Sequence, residues 1–144
     1  MIGWEHPALH QDWKTQIDVM VLGESRNLVW QQQLLKGAWR DFSDEFRMSF
    51  CQGPVAVVSI GPEHEEFFVV AEQGALWQTT YIQAKGLDPH TGWKRVDNGP
   101  FRPVLPVVVP LGDGELAVYV VNSADGKLVR FVSSGGKFAG AERV

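Results

Sequence analysis

The chain has 144 residues and a formal net charge of −4, long enough for one domain with a real core. A hydrophobic fraction of 44% excludes a disordered polymer, and the acidic balance without a basic cluster excludes the electrostatic footprint of a nucleic-acid binder. No apolar run approaches the roughly 18 residues that cross a bilayer, so no membrane partner is expected.

In chain order, MIGWEHPALH lacks the charged start and apolar stretch of a signal peptide, which leaves the compartment open between cytoplasmic and secreted. From His6 onward the chain repeats itself. HPALHQDWKTQIDVMVLGESRNLVWQQQ (His6 to Gln33) aligns without a gap on GPVAVVSIGPEHEEFFVVAEQGALWQTT (Gly53 to Thr80). Pro7 falls on Pro54 and Trp30 on Trp77. A third copy, RPVLPVVVPLGDGELAVYVVNSADGKLVRF, follows from Arg102, with Arg130 in the Trp position.

Each copy reads as a short apolar strand, a turn, a second strand (IDVMVL, FFVVA, LAVYVV), another turn, and a third strand (LVWQQQ, ALWQTTYI, KLVRFV). A fourth strand is expected near GAWRDF, GWKRV and GKFAG. The GDGE turn resembles a hairpin loop in which glycine supplies positive φ. One segment competes: Leu28 to Phe46 also carries a helical stripe at Trp30, Leu34, Leu35, Ala38, Trp39 and Phe42, with Gly37 inside it. Its alignment with the β-branched second copy favours strand. Four strands per unit of roughly 45 to 50 residues predict β-propeller blades. The expected fold is all-β, three blades at about 6–47, 53–98 and 102–141 in one domain. Three blades leave two open edges, so closure by a homo-oligomer is expected, two chains forming a six-bladed ring.

Candidate chemistry is sparse. Cys51, the single cysteine, excludes an internal disulfide and a cysteine zinc site; it is expected to pack near a strand start. His6, His10, His64 and His90 form no HExxH pattern, and no metal or cofactor is expected. NSADGK reads as a hairpin turn rather than a calcium loop. The carboxylates Glu63, Glu65 and Glu66 in PEHEEF, and Asp41, Asp44 and Glu45 in RDFSDEF, are read as solvated turns. Ser59 and Ser123 carry no nucleophile motif. The aromatics say more, with 6 Trp in the chain. Trp30 and Trp77 are expected to pack between blades. Trp39 and Trp93 begin fourth strands beside Arg40 and Lys94, and Gln78, Thr80, Tyr81, Gln31 and Gln33 lie on neighbouring strands, so alternation aims some of them into a cleft.

Apolar strand, polar turn, small-Leu-Trp and then GW, best seen in AEQGALWQTTY followed by GW at Gly92, resembles the blades of PLL-like lectins and, more distantly, tectonin and sialidase-type (BNR) repeats. That resemblance implies a propeller that binds glycans or glycoproteins between blades without catalysis. The expected ligand-binding residues are Trp39, Arg40, Trp93, Lys94, Gln78 and Tyr81. The third copy departs from the pattern at Arg130. Three rivals stay open: a propeller that binds proteins and no sugar, a small lipocalin-like barrel around an apolar ligand, and a sialidase-type hydrolase for which no catalytic constellation can be named.

Overall fold

The computed structural model describes residues 5–12, 16–22, 28–34, 48, 50–61, 64–82, 86–87 and 92–144. Within them the protein is all-β apart from one short 3-10 turn at Glu72–Gly74. The strands form three antiparallel sheets, each made from consecutive strands. The first holds β1 (Glu5–Asp12), β2 (Gln16–Leu22) and β3 (Leu28–Leu34). In the second, β4 (Ala56–Gly61), β5 (His64–Val70) and β6 (Leu76–Ile82) are followed by β7 (Gly86–Leu87) and β8 (Lys94–Asp97). The third repeats this plan with β9 (Val107–Gly112), β10 (Glu115–Val121), β11 (Leu128–Ser134), β12 (Lys137–Phe138) and β13 (Glu142–Arg143).

The fourth lane of the second and third sheets is split. β7 and β8 both pair with β6, at opposite ends, and β12 and β13 divide β11 in the same way. The ambiguous helical stripe resolves over Leu28–Leu34 as strand; residues 35–47, with Trp39 and Arg40, lie outside the described residues.

The order of residues explains the layering. FFVV in β5 is fully buried at all four positions, as a strand covered on both faces must be. Phe67 and Val69 join Leu22, Met48, Cys51 and Val55 in a cluster facing the first sheet. Phe68 and Val70 join Leu116, Val118, Val120 and Phe131 in a cluster facing the third. β10 buries Leu116, Val118 and Val120 on one face, while on the other the small Ala117 is buried and Tyr119 and Val121 are half-buried. The first strand of each sheet lies beside that of the next, β1 by β4 and β4 by β9.

Local chemistry sets the turns. Asp113 and Gly114 both have positive φ (52° and 76°) between Gly112 and Glu115, the two-residue hairpin an Asp-Gly pair favours. The link between the second and third sheets passes through Gly99. Its N–H donates to Asp97 Oδ1 at 2.8 Å, and the Phe101 N–H to the Gly74 carbonyl at 2.8 Å, seating Phe101 in the cluster facing the third sheet. Gly99 has φ +72°, and a Cβ there would collide with the Gly74 carbonyl oxygen and lie 2.7 Å from Phe101 N. Gly99→Ala is therefore expected to destabilise by more than about 1 kcal/mol, read as a lowered Tm; an unchanged Tm would contradict this packing. Cys51 is fully buried and its thiol is pushed up to about 12 by desolvation, which makes it an inert packing group.

The structure shifts the repeat by one register position. The pairs that open each β2–β3-type hairpin are Leu22–Leu28, Val70–Leu76 and Val121–Leu128. Counting from them, Trp77 corresponds to Val29 and Val129, while Trp30 corresponds to Gln78 and Arg130. Trp30 and Trp77 are thus not equivalent. Arg130 occupies the register of Gln78, on an exposed lane where it pairs with Glu142 at 2.5 Å.

Candidate functional site

The dipeptide Glu65-Glu66 opens the site. Both residues precede an apolar run, and instead of the expected solvated turn they lie within β5, which begins at His64; Glu63 lies outside the described residues. The two carboxylates are therefore strand residues, 3% and 4% exposed, and alternation sends them to opposite faces of the second sheet. Glu65 stands opposite Tyr81, on the face toward the first sheet; Glu66 stands opposite Thr80, on the face toward the third. They cannot act as a carboxylate pair on one bond.

Glu66 gathers three side chains. His64 Nε2 lies 2.9 Å from its Oε1, while Gln78 Nε2 and Thr80 Oγ1 donate to its Oε2 at 2.5 and 2.8 Å. The geometry follows from register: His64 and Glu66 share a face two residues apart, and Thr80 and Gln78 face Glu66 and Phe68 across the ladder. A buried carboxylate is tolerated when donors converge on it. His64 is the open end of this array, with a third of its side chain exposed against 5% for Glu66. A carboxylate on one imidazole nitrogen fixes the ring and its tautomer, leaving the other nitrogen to exchange a proton. Phe68 and Phe138 pack edge to face at 5.9 Å in the apolar cluster between the second and third sheets.

The sequence-predicted residues fall into two groups on opposite faces. Tyr81 is buried, and Trp93 is half-buried against the same cluster facing the first sheet. Close by, Thr79 Oγ1 donates to the Gly92 carbonyl at 3.1 Å. Gln78 and Lys94 are register partners on the other side, Gln78 buried under Glu66 and Lys94 exposed. Trp39 and Arg40 lie outside the described residues. His64 and Glu66 were missed as a pair because charged residues after Gly-Pro read as turn. The available signal was their direct continuation into FFVV, which makes them strand positions of one parity. Among the described residues no group of three or more His, Cys, Asp or Glu is placed to hold a metal, and no helix is long and apolar enough to cross a membrane.

No family model and no curated protein matches the chain. Solved structures do. One is a polysaccharide lyase of a new family, PL25, an ulvan lyase bound to -[GlcA(1-4)Rha3S]-. It is 13% identical at a TM-score of 0.59, over 96% of this chain and 37% of that one. A second PL25 ulvan lyase structure matches at 12% identity and a TM-score of 0.60, over 99% of this chain and 40% of that one. At such identity the likeness concerns the fold. The chain spans about two fifths of the length of the lyase structures it matches. The expectation of a binding protein without catalysis is corrected by this finding: these structures of shared fold are polysaccharide-cleaving enzymes. The resemblance to lectin blades led away from that, because blade motifs record how sheets pack and not what chemistry their clefts perform.

Proposed function

We propose that the chain is a carbohydrate-processing unit of β-propeller type that acts on an acidic polysaccharide by β-elimination at the gap between the second and third sheets. The observation that carries this reading is the His64–Glu66 pair, open to solvent at His64 alone, in a fold like that of polysaccharide lyases. Elimination at a uronate requires a base to take the proton on the carbon next to the carboxylate. The electron pair then forms the ring double bond and the glycosidic oxygen departs, taking a proton. His64 is the base in this scheme, and Glu66, fixed by Gln78 and Thr80, is its positioning residue. Lys94, on the lane beside Gln78, supplies a cation toward the uronate carboxylate. The test is incubation with uronate polysaccharides, reading the ultraviolet absorbance of the unsaturated product. Product formed by the wild type and lost in His64→Ala supports the reading; no product, or undiminished product in the variant, overturns it.

The propeller part draws on the blade motifs that resemble PLL-like lectin, tectonin and BNR repeats, and on three consecutive sheets whose first strands adjoin. Closure is assigned to a second copy. The outer face of the third sheet presents Val107, Val109, Leu111 and Leu128, each at least 40% exposed, an apolar surface of the kind that marks an interface. Light scattering is expected to give twice the chain mass, reduced to the monomer by Val107→Asp with Val109→Asp. A monomeric wild type would contradict closure by a second copy.

A further inference from the structure

A groove of about 490 Å³ lies at the end of the second sheet remote from His64, lined by Glu72, Gln73, Trp77, Arg95 and Asn98 among others. Its construction is specific. The Arg95 guanidinium sits over the Trp77 ring, 5.3 Å from the centroid, and its Nη1 donates to Asn98 Oδ1 at 2.8 Å. Trp77 is half-buried and packs against the cluster facing the first sheet, so it is a support for Arg95. The facing turn is also fixed: Ala71 N–H donates to the Ala75 carbonyl and Gly74 N–H to the Ala71 carbonyl, both at 2.9 Å. Gln73 is held there in the left-handed region, φ 61° and ψ 15°.

We propose that this groove is a subsite for an uncharged pyranose unit of the glycan. The inference rests on the carbohydrate reading above, but not on the elimination site. Planar side chains with two polar atoms match the vicinal hydroxyls of a sugar, each hydroxyl being donor and acceptor at once. Arg95 donates, Glu72 accepts, and Gln73 and Asn98 do both. One acid and one base line the groove, so an anionic sugar meets Glu72, whereas neutral hydroxyls satisfy either sign. Arg95 is already held by Trp77 and Asn98, and less freedom is lost when the ligand arrives.

Titration with methyl glycosides of neutral pyranoses, followed by NMR or calorimetry, tests the assignment, with glucuronate as the charged comparator. At least one neutral glycoside is expected to bind with a millimolar Kd. Arg95→Met and Asn98→Ala, both at exposed positions, should each weaken it about tenfold with Tm unchanged, and His64→Ala should leave it intact. Absence of binding by every neutral glycoside, tighter binding of glucuronate, or binding that survives both groove substitutions would overturn the proposal. Loss of binding in His64→Ala would also overturn it by moving the sugar to the other end of the sheet.

Discussion

Phe68→Ala is expected to lower the stability by about 3–5 kcal/mol, a large part of the roughly 5–15 kcal/mol that holds a domain folded. Phe68 is fully buried, and its ring meets Phe138 edge to face in the core between two sheets. The cluster around it takes residues from both layers: Val70 and Leu76 from the second sheet, Leu116, Val118 and Phe131 from the third. Truncation would leave a cavity where two rigid sheets meet, and neither sheet can collapse into it without breaking its ladder. The same substitution sits beside Gln78 in register, so the support under Glu66 would loosen as well. Denaturant unfolding monitored by fluorescence reads the effect. A loss below about 1 kcal/mol would mean that the sheets are not held together there.

His64→Ala is expected to reduce elimination by about 10²–10⁴-fold, the usual contribution of a positioned base, and to lower stability by about 1–3 kcal/mol, because the buried Glu66 Oε1 loses its contact with the imidazole. Glu66→Gln should behave differently. It keeps the volume and an oxygen that can still accept from Gln78 and Thr80, but it turns the position facing His64 Nε2 into an amide N–H, so the imidazole must accept there and its tautomer is reversed. The rate should fall, since the imidazole loses its orienting carboxylate. Steady-state rates and melting curves of the two variants separate base from positioning residue. If Glu66→Gln lowered stability without changing the rate, Glu66 would be structural only.

The strands FFVVA and LAVYVV and the GDGE hairpin were legible in the sequence, because apolar runs and turn chemistry are local. That FFVV is covered on both faces was not, because it depends on which sheets pack against β5. The repeat gave the order of strands but placed Trp30 on Trp77, one position off. Identity of a large residue is a weaker guide to register than the pairs that close a hairpin, such as Val70–Leu76. The site was less legible. Gln78 and Tyr81 lie on β6 and Lys94 on β8, with Trp93 just before it, and two faces of one sheet divide them. Glu66 was passed over because burial of a carboxylate depends on which partners the ladder brings opposite it, and Gln78 is twelve residues away. The expectation of no catalysis had the same root: no linear motif joins His64, Glu66, Gln78 and Thr80, which only the ladder brings together.

The most direct measurement is NMR mapping of a bound uronate oligosaccharide on the His64→Ala variant, which holds the ligand without consuming it. Shift changes are expected at Glu66, Gln78, Thr80 and Phe138, the residues around the gap between the second and third sheets. Changes confined to the face toward the first sheet, around Tyr81 and Trp93, or to the outer face around Val107 and Val109, would contradict the account.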